Sequence, residues 1–371
     1  MMKIRKIAAL LMVAAMAMSS LTACGGSDSN AETVKSAGGQ EISKDKEVNI
    51  LIWEGFYPDE VFTEFEQETG IHVNISYVTN TDEILAKLLA SNGDSEYDFI
   101  HLESAYVKPF VDNNLLEEID YSNVPNSEDL YDNYWGIAGD EEGKYTCPDG
   151  TKGYTQIVYN KETCPIEIKK FQDLADPALK GQICSVNSTI SLFGEALYAL
   201  GYKPDSTTES EYQEAADLWT DIKSNVKLFT GASCYQSLEN GECSVAFMFD
   251  YPVLMQNKDN WDKYEVADID TPYETYSDTW GVPVGAKHKT EAEMLMNFLL
   301  EPEVMVERLE FYPQEPCSDK VKELVSDDIL NNPAFNLPDT VVGDCWMVPV
   351  SDEQIALMDK YLTQFMSTDT Q

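Results

Sequence analysis

Between Val48 and Leu102 the apolar residues change period several times, and this succession restricts the fold more than any other stretch of the chain. Val48-Asn49-Ile50-Leu51-Ile52-Trp53 is a nearly continuous apolar run of strand length. Pro58 then opens a helix with Val61, Phe62 and Phe65 on one face, and Gly70 closes it. Ile71, Val73, Ile75 and Tyr77 alternate as a second strand, while Asn80 with Glu83 forms a capping pair for a helix carrying Ile84, Leu85, Leu88 and Leu89. Residues 97–102 complete a third strand. The order β-α-β-α-β in so short a span predicts a parallel sheet covered by helices, because parallel neighbours require a crossover between them.

Farther on, residues 153–160 read as a strand entering a second region. The segments 171–174 and 177–181 precede a strand over 182–186 and a helix over 188–200, stopped by Gly201. Residues 245–249 and 279–284 read as further strands, and 291–311 as a helical stretch interrupted at Pro302. A chain of 371 residues exceeds what one hydrophobic core usually serves. The alternation therefore predicts the α/β class with two lobes, and no internal repeat is present.

The first 24 residues indicate where such a body works. Lys3, Arg5 and Lys6 precede an apolar run over residues 7–18, and Leu21-Thr22-Ala23 lead to Cys24. The run has the length of a signal-peptide core and is too short to cross a bilayer. Its ending resembles the lipobox of bacterial lipoproteins, which implies that residues 1–23 are a cleaved signal peptide and that Cys24 carries lipid. Such a chain is held on a membrane without a spanning helix. Residues 25–46 are rich in small and charged residues, the composition of a flexible tether. The expected location is extracytoplasmic, lipid-anchored to the cell membrane.

Sixty-six Asp+Glu oppose 25 Lys+Arg, a formal net charge of −41, which argues against nucleic acid or an anionic lipid surface as partner and favours cations. Arg308 is the only arginine outside the leader, so forked recognition of a carboxylate or phosphate has one candidate. Helix N-termini remain open as anion sites. Besides Cys24 there are seven cysteines, Cys147, Cys164, Cys184, Cys234, Cys243, Cys317 and Cys345, an odd number that cannot pair completely within a monomer. No Cys-x-x-Cys or Cys/His spacing occurs, and with only His72, His101 and His288 no metal site and no cofactor is expected. The chain lacks a Gly-x-Ser-x-Gly elbow and a His-Glu-x-x-His motif, so catalysis is not expected. A glycosidase-type carboxylate pair stays open among so many acids.

Leu51-Ile52-Trp53-Glu54-Gly55-Phe56-Tyr57-Pro58, with Phe65 and Glu68-Thr69-Gly70-Ile71 after it, resembles the start of bacterial spermidine/putrescine-binding proteins. So do Tyr97-Asp98-Phe99-Ile100, Leu200-Gly201-Tyr202, Ser277-Asp278-Thr279-Trp280-Gly281-Val282-Pro283, Asn297-Phe298-Leu299-Leu300-Glu301-Pro302 and Tyr312-Pro313. The colinear likeness covers residues 47–365. It implies a two-lobed periplasmic-binding-protein-like fold of type II, each lobe a mixed sheet flanked by helices, with hinge strands between them. The lobes would close over a solute and deliver it to the permease of an ABC transporter. By the same analogy lobe 1 takes residues 47–153 with 278–322, lobe 2 takes 154–277 with 323–371, and the protein is a monomer.

The resemblance also implies a site for a small cation, a polyamine such as spermidine or putrescine. A polyamine needs carboxylates for its ammonium groups and aromatic faces for its methylene stems. Trp53 matches a ligand-contacting tryptophan, and Asp278 matches the amine-binding aspartate with Tyr276 as an aromatic wall. Phe249 and Tyr312 occupy further aromatic positions. Two departures stand out. Where relatives place acids before a helix of the second lobe this chain has Ser188 and Ser191, and the family's serine after the third strand becomes Glu103. Glu54, Glu103 and Asp250 are unmatched acids beside matched positions. A cation of different length, or a neutral or zwitterionic solute in a serine-lined cleft, both stay open; ferric ion, usually held by adjacent tyrosines, finds no Tyr-Tyr pair.

Overall fold

The structure is a computed structural model that describes residues 32–43, 46–231, 233–342 and 345–367. The leader and Cys24 lie outside the described residues. Strands β1 (Thr33–Lys35) and β2 (Glu41–Ser43) pair antiparallel, with Val34 opposite Ile42. Both of these side chains pack on the body, the Gly38 N–H donates to Asn123 Oδ1 at 3.1 Å, and Thr290 donates to Gln40 Oε1 at 2.7 Å. The tether expected over residues 25–46 is therefore corrected: its second half is a docked hairpin. One apolar residue per three-residue strand leaves no periodic signal to read.

The main sheet has ten strands: β3 (Glu47–Trp53), β4 (His72–Val78), β5 (Phe99–Glu103), β6 (Thr146–Asn160), β7 (Ile183–Val186), β8 (Val226–Thr230), β9 (Val245–Met248), β10 (Tyr264–Val266), β11 (Glu274–Gly281) and β12 (Glu315–Pro316). Its order is β4-β3-β5-β11-β6-β9-β7-β8, with β10 and β12 also on β6. The expected parallel unit is present: β3 pairs parallel with β4 and β5, connected through helices α1 (Asp59–Thr69) and α2 (Thr81–Ser91). Gly70 ends α1 at φ 74°, and Asn80 caps α2 by accepting from Glu83 N at 2.9 Å. In the other half β7 pairs parallel with β8 and β9.

Strands β6 and β11 join the halves. The first part of β6 pairs with β11 and β12, its last part with β9 and β10. Both strands start earlier than their apolar residues indicate, at Thr146 and Glu274. Residues 146–152 (TCPDGTK) and 274–278 (ETYSD) are mostly polar, so a reading based on apolar alternation passes over them. Helices α3 (Val107–Asp112), α4 (Thr189–Ala199), α5 (Glu209–Lys223), α6 (Cys234–Glu239), α7 (Tyr251–Leu254), α8 (Lys289–Leu299) and α9 (Pro302–Phe311) cover the sheet. The expected interruption at Pro302 separates α8 from α9, with the proline at the first helical position, where its missing N–H costs nothing.

Two hydrophobic clusters follow. One holds Val48, Ile50, Phe65, Trp280, Leu295 and Leu309; the other holds Phe171, Ile183, Phe193, Trp219, Phe247 and Phe365 and continues beneath β5 through Ile100 and Leu102. The architecture is the two-lobed type II arrangement. The segments that follow β4 and β5 on one side and β7 on the other meet directly, with Tyr106 Oη against Thr189 Oγ1 at 3.2 Å and Thr189 Oγ1 donating to Asp82 Oδ2 at 3.1 Å. Strand ends of this kind are where α/β sheets bind ligands.

Candidate functional site

Side chains alternate along β11, which places Glu274, Tyr276 and Asp278 on one face, with about 13 Å between the first and last Cα at a rise of ~3.3 Å per residue. Neighbouring strands set what lies beside each. Glu103 of β5 is opposite Asp278, and Gly153 and Thr155 of β6 are opposite Tyr276 and Glu274. Gly153 is required here: a Cβ at that position would lie 2.3 Å from Tyr276 Cζ, so its absence lets the tyrosine ring lie across β6. Phe249, just past β9, faces the ring with centroids 6.3 Å apart, and its carbonyl accepts from Tyr276 Oη at 3.4 Å.

Carboxyl groups flank this aromatic wall. Asp278 is 3 % exposed, Asp250 1 % and Glu274 5 %. Asp250 Oδ1, Asp278 Oδ1 and Glu274 Oε2 are buried without a hydrogen-bond partner. Burial pushes the carboxyls of Asp250 and Glu274 up to about 7, and that of Glu103 up to about 8 with the charges of Glu274 and Asp82 adding to it. Asp278 is held well above the usual carboxylate range by burial and by the charges of Asp149 and Glu103. A buried carboxylate left alone costs several kcal/mol, so Glu103 and Asp278 are mainly protonated at neutral pH and Asp250 and Glu274 about half so.

Beneath Trp53 lies a second polar group that is largely paired within the protein, although Arg308 Nε and Gln314 Nε2 have no hydrogen-bond partner among the described residues. Arg308 donates to Asp149 Oδ2 at 2.6 Å, to the Asp149 carbonyl and Gln314 Oε1 at 3.1 Å each, and to Thr151 Oγ1 at 3.2 Å, and its guanidinium lies 4.6 and 4.8 Å from the ring centroids of Phe56 and Tyr57. The Arg308 fork, the one sequence candidate for gripping an anionic solute, is thus spent inside the protein. His101 Nε2 is 3.3 Å from Asp149 Oδ2, yet burial lowers its imidazole to about 4, so it is neutral. Among the described residues His101, Asp149 and Asp278 form one set with potential ligand atoms within 4.8 Å of one another. The guanidinium on Asp149 places a positive charge where a metal ion would sit, which opposes a second cation there.

The sequence profile described as Bacterial extracellular solute-binding protein matches residues 60–336. The chain belongs to this family. The spermidine/putrescine-binding periplasmic protein 1 of Haemophilus influenzae is 25% identical over 345 residues, covering 92% of this chain and 94% of its own length. A putrescine-binding periplasmic protein of Pseudomonas aeruginosa is 24% identical over 334 residues, 84% of this chain and 89% of that one. A solved structure from Listeria monocytogenes, provisionally assigned to spermidine/putrescine ABC transport, superposes with a TM-score of 0.80 at 22% identity, over 87% of this chain and 99% of its own. A lipoprotein of Treponema pallidum gives 0.72 at 22%, over 86% and 99%. These two structures show the shared fold.

In this solute-binding protein most of the residues singled out in the sequence come together, and some do not. Trp53 is half-buried at the end of β3, 4.3 Å from the His101 ring and 5.6 Å from Phe56, with Nε1 unpartnered. Tyr312 is buried against Phe56 at 4.9 Å, and this burial, with the neighbouring Tyr276, Asp250 and Asp278 adding to it, raises its phenol. Ser188 caps α4 by accepting from Ser191 N at 3.4 Å, and the Ser191 hydroxyl meets Thr155 Oγ1 at 3.4 Å and the Glu274 carboxyl. Glu54 is exposed beside Tyr77, apart from the buried carboxyls. Glu274 and Asp149 were missed. The signal for Glu274 was available, since it stands two residues before Tyr276 and four before Asp278 on a period of two.

Proposed function

We propose that the protein is the solute-binding component of an ABC importer that captures a polyamine such as spermidine or putrescine between its lobes and hands it to the permease. The observation that carries this reading is the set of buried, unpartnered carboxyl oxygens on Asp250, Glu274 and Asp278 around the Tyr276 ring. Ammonium groups would neutralise these acids, and the methylene stem would lie along Tyr276, Phe249, Trp53 and Tyr312. Glu274, behind Ser191, and Glu103 supply charge where the serines Ser188 and Ser191 replace the acids of relatives. Relatives named for spermidine and putrescine binding support the same solute class.

In this reading the lobes divide at residues 47–153 with 278–322 and 154–277 with 323–371, and Cys24 anchors the monomer to the membrane by its lipid. A solute that touches both lobes favours the shut state because only that state offers all its contacts. No bond is made or broken. The test is a thermal-shift panel of polyamines, amino acids, sugars and Fe(III) on the purified protein, since a ligand selective for the folded state raises the melting temperature. Stabilisation by linear polyamines is the expected result; stabilisation by a sugar alone rejects the cation assignment.

A further inference from the structure

Two cysteines of the second half meet between β7 and α6. Cys184 on β7 and Cys234 at the start of α6 are both free thiols with fully buried side chains, and their sulfurs are 3.0 Å apart. That separation is about 1 Å longer than a covalent S–S bond (~2.05 Å) and is bridged by small shifts of two side chains. The other thiols are engaged differently. Cys147, Cys164, Cys317 and Cys345 lie against backbone carbonyls at 3.7, 3.3, 3.8 and 3.6 Å. Cys243 lies buried near the pair.

We infer that Cys184 and Cys234 are a disulfide-forming pair that staples β7 to α6. The exchange is balanced as follows. The Cys184 thiolate attacks one sulfur of an incoming disulfide, carried by a small molecule or a thiol oxidoreductase, and expels one thiol. Cys234, losing its proton, then attacks Cys184 Sγ in the mixed disulfide and expels the second thiol. Two protein thiols become one disulfide, and the incoming disulfide is reduced to two thiols that carry off the two protons. Both sulfurs are enclosed in the folded body, so the bond forms as this half folds in an oxidising extracytoplasmic compartment, before β7 and α6 close over them.

The staple acts at the rim of the cleft. Cys234 immediately precedes Tyr235, whose N–H points at Asp250 Oδ2 from 3.4 Å, and it follows the Thr230–Ser233 hydroxyl contact at 2.8 Å. β7 runs from Cys184 to the Ser188–Ser191 turn two residues beyond its end. A bond here fixes the distance between the two segments, and its presence does not depend on which solute the protein takes.

The experiment refolds the exported full chain in a glutathione redox buffer, alkylates its free thiols after denaturation, and maps peptides by mass spectrometry. Expected are one cross-linked peptide pair containing Cys184 and Cys234, and alkylated Cys147, Cys164, Cys243, Cys317 and Cys345. Protein refolded under reductant melts on the order of 5 °C lower, and the Cys184→Ser/Cys234→Ser double variant shows no such redox-dependent difference. Full alkylation of all seven thiols, a bond to Cys243 instead, or equal melting of oxidised and reduced wild type overturns the inference.

Discussion

Asp278 has an unpartnered oxygen, and this fixes what its removal does. Asp278→Asn keeps shape and leaves no internal ion pair broken, so the fold should persist while polyamine affinity falls by about 2 kcal/mol or more, roughly 30-fold. Isothermal titration measures it, and an unchanged affinity removes Asp278 from the site. Glu274→Gln separates two effects. Replacing a buried carboxyl by a neutral amide should raise the melting temperature of the unliganded protein at pH 8, where ionisation is costly, while weakening spermidine binding. A variant that lost stability without ligand would show that Glu274 is paired within the protein. Arg308 behaves in the opposite sense. Arg308→Met strands Asp149, and removing one partner of a buried pair costs about 3–5 kcal/mol, seen as a lower denaturation midpoint with or without ligand.

At the scale of elements, β6 and β11 both link the two halves of the sheet and carry the candidate site. The Tyr276 ring occupies the space above Gly153, so Gly153→Ala drives a methyl into it. The ring must move off β6 and its contact with Phe249 is lost; polyamine affinity should fall several-fold with little change in far-ultraviolet dichroism, and an affinity equal to wild type would take the ring out of the binding wall. These same strands explain what the sequence hid. The β3-α1-β4-α2-β5 unit was legible to within a residue or two because β3 and β5 are apolar and mostly buried, β4 at the sheet edge alternates, and its helices carry a capping asparagine and a terminal glycine. The starts of β6 and β11 were not, since their buried positions are filled by polar residues such as Thr146, Asp149, Thr151, Glu274 and Asp278, which leaves no apolar alternation to read. Asp278 and Tyr276 were singled out as candidates through their motif; Glu274 lay in the stretch not assigned as strand, and Asp149 in a Pro-Asp-Gly triplet that resembles a turn. The hairpin of β1 and β2 was hidden by its small composition.

For the whole molecule the buried acids make folding and binding respond to pH in opposite directions. Asp250 and Glu274 titrate at about 7 and Glu103 at about 8 in the folded protein, against roughly 4 in an unfolded chain. Between those values the folded, empty protein holds more protons than the unfolded one. The stability these three groups contribute is therefore fully present below about pH 4 and is lost as pH rises through 7 to 8. The net charge of −41 adds self-repulsion of the same sign, so the melting curve alone does not isolate the cleft. Binding does. Ammonium groups stay charged to about pH 10 and favour ionised partners, so polyamine capture at pH 6.5 must expel the protons the carboxyls carry. Calorimetric titrations in two buffers of different ionisation enthalpy should show net proton release, smaller at pH 9 than at pH 6.5 and reduced in Glu274→Gln, with affinity rising over the same interval. Zero release at pH 6.5, or uptake, would mean that the solute is not neutralised by these acids.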